Sequence, residues 1–389
     1  MKLTNQIKLN PTIEQAELLK RTLEIANAAC DYISGVAWNS QTFGKFQVQK
    51  LVYDDVRKTF DLTAQMVIRC ISKVTDAYKR SPPEGTRRSR RSLDKKTAPR
   101  GYPTFNPHGA IAYDERILKW YTDKQFVSIW TMDGREKIPF IGGKRQLELL
   151  KHQKGESDLC LVDGVFYLMT TCDVEAPTPD DVDGFLGIDM GETNIVVTSD
   201  GEIMTSERVE KNRQRHHRLR KELQSKGTKS TRRKLKAARR KQSHFQKDVN
   251  HQISKRLVSI AKHTKRGIAV EDLTDIRERT RVKGPEKRAK RSNWSFAQLR
   301  TFIEYKAMLM GVPVAAVDPA YTSQRCFCCG HIERSNRKSQ SEFLCKACGH
   351  TAHADVNAAK NISGLASTSL MSRLHTDYRM QSQGQTLGL

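Results

Sequence analysis

Residues 321–362 read YTSQRCFCCGHIERSNRKSQSEFLCKACGHTAHADVNAAKNI, and the rest of the chain is organised around them. Cys326 and Cys329 make one Cys-x-x-Cys, Cys345 and Cys348 make a second, and fifteen residues separate the pairs. That is the spacing of a tetrahedral zinc ribbon. Gly330 and Gly349 each follow a pair directly; glycine there lets the chain turn tightly enough for backbone N–H groups to point at thiolate sulfurs. Disulfides or buried apolar thiols are the competing reading, and doubled knuckles in a chain without a secretory signal argue against it. Cys328 leaves the ligand register open, although only Cys326 with Cys329 repeats the two-residue gap and the trailing glycine. His331, His350 and His353 are spare donors, expected outside the site because structural zinc is nearly always four-coordinate. A closed four-thiolate site does no chemistry. It therefore scaffolds something adjacent, and Asp355, which opens the helical stretch DVNAAKNI, is adjacent.

With 389 residues the chain can hold two or three domains. Lys and Arg number 68 against 43 Asp and Glu, a formal charge of +25, which points to a polyanionic partner bound through phosphate contacts and counterion release. Lipid is the other common polyanion. No stretch approaches about 18 consecutive apolar residues, and MKLTNQIKLNPTIEQ has no apolar signal core, so neither a transmembrane helix nor a signal peptide is expected. Cys30, Cys70, Cys160 and Cys172 are scattered in apolar surroundings and read as reduced core thiols of a cytosolic protein.

Taken in order, Met1 to Leu9 alternates as a strand, and Asn10-Pro11 opens a helix whose apolar face runs Ile13, Ala16, Leu19, Leu23, Ala26, Cys30, Ile33. Val48–Phe60 and Leu62–Tyr78 continue a helical unit. Ser81–Pro103 is basic and turn-forming, a boundary loop that reads either as a merely soluble linker or as a phosphate contact, with Arg87 and Arg88 as the candidate nucleic-acid residues. From Ala110 to Val174 the period changes to two, giving a small β-domain to which the first strand can belong. After the linker APTPDDVDG, the run FLGIDMGETNIVVTSDGEIMTS predicts three antiparallel strands. Between Arg208 and Lys247, 17 Lys or Arg face only Glu210 and Glu222, in two helices broken at Lys226-Gly227-Thr228. So self-repelling a segment fits contact with nucleic acid, with Arg232, Arg233, Arg239 and Arg240 as candidates. A helix over Gln252–His263, the strand RGIAVEDL, a basic loop at Asp275–Arg291, a helix over Trp294–Met310 and a strand over Val312–Val317 follow. The polar tail from Ser363 has no pattern and is expected to be disordered.

Asp189 and Glu271 each end an apolar strand, where a carboxylate is costly unless it meets a cation or a donor. Gly187 and Gly191 beside Asp189 would let a phosphate approach the backbone. Asp355 can serve as a helix N-cap, yet the three acids together can hold two Mg2+ or Mn2+ about 3.5–4 Å apart.

GIDMGETNIVVTSDG, IAVEDL, the double-knuckle ribbon and DVNAAKNI together resemble the RuvC-type nuclease of the TnpB (OrfB) transposon-encoded family, relatives of compact type V CRISPR effectors. The motifs cover roughly residues 184–362; the preceding units match only in order and size. The resemblance implies Asp189, Glu271 and Asp355 as the catalytic triad with Mg2+ or Mn2+, and Cys326, Cys329, Cys345 and Cys348 as Zn2+ ligands. It implies a guide RNA, a double-stranded DNA target beside a short motif, cleavage of both strands at one site, and a cytoplasmic prokaryotic setting. The implied fold is α+β and multidomain: a β-barrel-like wedge domain (1–10 and 101–178) with an inserted helical domain (11–100), an RNase H-like nuclease (183–320 and 351–365), a zinc ribbon (321–350) and a disordered tail (366–389). Ala354 departs from the family, which often carries Arg there, so a phosphate contact is expected to be missing. Three other readings compete: a guide-dependent repressor, disfavoured because all three acids are present; an effector guided from a CRISPR array; and a strand-transfer transposase, whose acids would run Asp, Asp, Glu.

Overall fold

A computed structural model of the chain describes residues 1–80, 101–272 and 296–368. The Ser81–Pro103 loop up to residue 100 with Arg87 and Arg88, the Asp275–Arg291 loop and the tail beyond 368 lie outside the described residues. The chain forms two compact units, Met1–Glu175 and Ala176–Leu389.

In the first unit, β1 (Lys2–Leu9) is followed by α1 (Ile13–Asn39), α2 (Lys45–Phe60) and α3 (Ala64–Arg80). Thr12 caps α1 by accepting from the Gln15 N–H while the Gln15 side chain returns to the Thr12 N–H, a reciprocal box that satisfies two orphan donors. The strands β2 (Ile111–Tyr113), β3 (Leu118–Tyr121), β4 (Phe126–Thr131) and β5 (Gly134–Ile141), the short helix α4 (Lys144–Leu150), β6 (Gln153–Val162) and β7 (Val165–Asp173) complete the unit. Its seven strands run in the order β2-β6-β7-β1-β5-β4-β3, with β1 in the middle of the sheet, antiparallel to both neighbours. Helices and sheet share one core that runs from Ile7 through Leu23, Cys30 and Ile71 to Ile129 and Leu168. The apolar stripes of α1 and α3 have the sheet to bury against, which is the cheapest way to hide them. Cys30, Cys70 and Cys172 are buried free thiols, while Cys160 is half-buried.

The second unit carries a five-stranded sheet. Its strands are β8 (Phe185–Asp189), β9 (Asn194–Thr198), β10 (Ile203–Thr205), β11 (Gly267–Glu271) and β12 (Val314–Val317), in the order β10-β9-β8-β11-β12. The first three form the antiparallel meander that the turn residues predict, with Gly201 at φ +89°. β11 then pairs parallel to both β8 and β12.

Between β10 and β11 run α5 (Glu207–Lys226) and α6 (Lys229–His263). Gly227 ends α5 in the left-handed conformation, and the Thr228 hydroxyl, accepting from the Thr231 N–H, starts α6. The separate helix expected over Gln252–His263 is instead the second half of α6, one element of 35 residues. No glycine or proline interrupts 229–263, so the backbone has no reason to stop where the side chains change from charged to apolar. That second half, through Ile253, Leu257 and Ala261, packs with Leu299, Ile303 and Ala307 of α7 (Phe296–Met310) on one face of the sheet.

The opposite face is covered by α8, residues 354–368, which puts Ile362 and Ala366 against Phe185, Ala269 and Val317. The tail expected to be patternless from Ser363, and disordered from residue 366, is thus helical through 368, because Ile362 and Ala366 at i, i+4 complete an apolar face. Gly187 serves this packing, not phosphate approach. A Cβ there would fall on the Ala359 carbonyl and within 2.7 Å of the Ser363 nitrogen, both backbone atoms of α8. Gly187→Ala should therefore cost on the order of 3 kcal/mol, read as a lowered denaturant midpoint; Gly184→Ala, whose Cβ would meet only the Ser367 hydroxyl at 4.0 Å, should be close to neutral. Among the described residues no helix is long and apolar enough to cross a membrane.

Candidate functional site

The parallel register of β8 and β11 sets Ile188 opposite Val270. Asp189 and Glu271 are the next residues along, so two carboxylates leave adjacent strands at the same end of the sheet. Asp355 comes to the same place from the first turn of α8. Its side chain is only 7% exposed and both oxygens are held: Asn194 of β9 donates to Oδ2 at 3.0 Å, and Arg337 Nη2 donates to Oδ1 at 2.6 Å. Glu271 Oε1 accepts from the buried Thr322 hydroxyl at 2.5 Å. Among the described residues, no donor reaches the Asp189 carboxylate.

The electrostatics follow from that crowding. Burial pushes Asp189 up to about 7, and the charges of Glu271 and Asp355 push in the same direction against Arg337. Burial also raises Glu271, opposed by its Thr322 hydrogen bond. Arg337 offsets part of the repulsion among the three acids, and Asp189, which has no donor, is left with the rest; a hard divalent cation is the kind of group that would neutralise it.

Beside the acids, the sulfurs of Cys326, Cys329, Cys345 and Cys348 all lie within 4.8 Å of one another. The Cys326–Cys348 and Cys329–Cys345 separations are 3.8 and 3.5 Å, close to the edge of about 3.8 Å that four zinc–thiolate bonds define. The two knuckles repeat each other. Gly330 and Gly349 have φ of +78° and +71°, their N–H groups donate to the Cys326 and Cys345 carbonyls, and the Cys326 and Cys345 N–H groups donate to His331 and His350 carbonyls. N–H groups of Cys348 and Ala347 draw the Cys345 thiol down, while burial pushes Cys326 up and the neighbouring sulfurs push Cys348 up, as expected of thiols packed together before a metal takes their protons. Cys328 is exposed and outside the cluster, which closes the register that spacing left open. The cluster is of the kind that binds zinc.

The helix α8 ties this ribbon to the acids. Asn357 donates to the Arg325 carbonyl and accepts from the Phe327 N–H; one turn later Asn361 donates to the Thr322 and Arg325 carbonyls. The strands β13 (Glu342–Leu344) and β14 (Thr351–His353) pair antiparallel inside the ribbon. Ala354 is fully buried with Cys326, Phe343 and Cys345, so no long side chain fits there. The guanidinium beside Asp355 comes from Arg337.

Asn194, Thr322, Arg337, Asn357 and Asn361 were not singled out by sequence. The i, i+4 asparagines of DVNAAKNI could have been, since both lie on one helix face; Arg337 could not, because its partner depends on the path of a loop. Of the candidate nucleic-acid residues, Arg232, Arg233 and Arg239 are exposed in the first half of α6 and Arg240 is half-buried.

Two family models match the chain: one described as "Probable transposase" over residues 169–277, the other as a Cas12f1-like TNB domain over residues 296–362. A TnpB-like protein of Methanocaldococcus jannaschii is 32% identical over 200 residues, 47% of this chain and 69% of that protein. A CRISPR-associated endodeoxyribonuclease Cas12f1 of Sulfoacidibacillus thermotolerans is 42% identical over 127 residues, which span 32% of this chain but only 28% of that relative's length. In fold, the chain is similar to CasPhi-2 (Cas12j), solved by cryo-EM bound to crRNA and phosphorothioate DNA, with a TM-score of 0.50 at 10% identity over 95% of this chain and 92% of that one.

Proposed function

The chain belongs to the TnpB-like family, and from that premise we propose that it is a transposon-encoded, RNA-guided DNA endonuclease: it pairs a guide RNA with target DNA beside a short duplex motif and cuts both strands at one RNase H-like (RuvC) site. One observation carries this: three carboxylates, Asp189, Glu271 and Asp355, converge at one end of the five-stranded sheet, and Asp189 has no donor among the described residues. A three-stranded meander followed by two parallel strands supports the RNase H-like description. In this scheme residues 183–320 and 351–365 are the nuclease, 321–350 the ribbon, and 1–10 with 101–178 a wedge carrying the helical unit 11–100.

Two Mg2+ or Mn2+ ions, when bound, would activate water and stabilise the leaving oxygen. The chain's part is to present the ligands. Thr322 fixes Oε1 of Glu271 and leaves Oε2 to ligate; Asn194 orients Asp355; Asp189 must lose the proton that burial favours before it can bind a cation. The four thiolates hold one Zn2+ per chain, keeping Thr322 and Arg337 beside the acids. The partners are a guide RNA and double-stranded DNA, in the cytoplasm and on the nucleoid.

The direct test is to sequence the RNA that copurifies with the protein and offer a duplex complementary to it. A single defined RNA and Mg2+-dependent cleavage of that duplex are expected; heterogeneous cellular RNA with no matched cutting would refute the proposal.

A guide strand reads sequence by base pairing, so the protein needs mainly to grip the nucleic-acid backbone, and the α5–α6 hairpin is the candidate grip. Changing Arg232, Arg233, Arg239 and Arg240 to Gln should weaken RNA binding and flatten its salt dependence by up to about 0.7–0.9 log unit for each phosphate no longer neutralised. Target preference should be unchanged. A mutant that keeps its salt slope but cuts different DNA would show that the hairpin reads sequence.

A further inference from the structure

Each cysteine knuckle is held by a buried asparagine, and the two are held in the same way. In the first knuckle the N–H of Phe327, the residue after Cys326, donates to Asn357 Oδ1 at 3.0 Å. In the second the N–H of Lys346, the residue after Cys345, donates to Asn336 Oδ1 at 2.9 Å. Asn357 belongs to α8, whereas Asn336 comes from the loop between the knuckles and is fully buried. Its amide nitrogen has two protons to give, and both are used: Nδ2 donates to the Gln324 carbonyl at 3.0 Å and to the His331 carbonyl at 3.3 Å. Those two residues flank the first knuckle, and the His331 carbonyl also accepts from the Cys326 N–H. One side chain therefore fastens the second knuckle to the first by three bonds, none of which needs a metal. The sulfur contacts at 3.8 and 3.5 Å, Cys326 to Cys348 and Cys329 to Cys345, both cross from one knuckle to the other, so this fastening spans the gap that the metal would close.

We propose that Asn336 is the positioning residue of the zinc site: it holds the two cysteine pairs at tetrahedral spacing and so sets how tightly zinc binds. It acts through the backbone beside Cys326 and Cys345 and touches no metal. The physical reason is preorganisation. Four thiolates on two separate turns must be brought together at a cost in chain entropy, and a cross-link already in place removes part of that cost from the binding step. Without the amide, the Lys346 N–H and the Gln324 carbonyl would also lose a partner inside the ribbon, which is costly for buried backbone groups. The inference rests on the four-cysteine cluster holding zinc.

The measurement is zinc affinity of the full-length protein, by competition with a chromophoric chelator, with a melting curve in parallel. Asn336→Ala and Asn336→Asp, the second of which keeps the acceptor but loses both donors, are expected to bind zinc about ten- to a hundredfold more weakly than the wild type. Leu299→Ala, which opens the core between the second sheet and its helices, should lower the melting temperature and leave zinc affinity where it was. Wild-type affinity in either Asn336 variant overturns the proposal. So does an equal loss in Leu299→Ala, because affinity would then report overall stability. If an Asn336 variant purifies without zinc, its uptake is followed as free Zn2+ is raised: saturation at about ten- to a hundredfold higher Zn2+ supports the proposal, and no uptake at any concentration overturns it, since the side chain would then be needed for the ribbon to fold at all. Failure of the underlying reading looks different, because the wild type itself would bind no zinc.

Discussion

On the proposed function, alanine at Asp189, Glu271 or Asp355 is expected to abolish Mg2+-dependent cleavage, by on the order of a thousandfold or more in single-turnover assays, while RNA and target binding should change little. The size follows from the proposed chemistry: the acids together would hold the ions that activate water and stabilise the leaving oxygen, so removing one acid would remove metal. Binding should survive because the proposed nucleic-acid grip, the α5–α6 hairpin, is formed by other residues. The three variants differ in stability in a way that identifies them. Asp355→Ala frees Arg337 and Asn194 and destabilises. Asp189→Ala removes a buried carboxylate without a donor and does not. Asp189 is raised from 3.8 to about 7, so the folded state holds its proton more tightly than the unfolded chain. The metal-free protein therefore loses stability as pH rises from about 4 to about 7, and Asp189→Asn removes that loss. Full cutting by two of the three alanine variants under saturating Mg2+ would sink the two-metal assignment.

Cys345→Ser or Cys326→Ser should release the single Zn2+, lower solubility and also abolish cutting, although no thiolate takes part in the reaction. Structural zinc contributes about 10–16 kcal/mol of apparent binding energy in small isolated domains, where folding and metal binding are one event. Here the ribbon's collapse would withdraw Thr322 from Glu271 and Arg337 from Asp355. Cys328→Ser, by contrast, should retain zinc and activity, since Cys328 is exposed and outside the cluster. Metal analysis with a melting curve decides this. Loss of zinc in Cys328→Ser with retention in Cys329→Ser would reverse the ligand register.

What the sequence determined by itself is what short-range physics writes into it. Strands β4, β8 and β9 follow from alternation or short apolar runs between turn residues, and the break between α5 and α6 from Gly227, because burial period and backbone freedom are local properties. The four thiolates were legible because a zinc knuckle is a turn of a few residues. Asp189 and Glu271 stood out because an acid ending an apolar run is costly wherever the chain goes next. Only the tertiary structure decided that β8 and β11 are parallel neighbours, so that these acids meet. It alone showed that Gly187 makes room for α8, that α1 to α3 share a core with the first sheet, and that Arg337 pairs with Asp355. Each of these depends on segments that lie apart along the chain. Neither partner carries a mark of the other, since the free energy that selects their pairing exists only once both surfaces have been brought together.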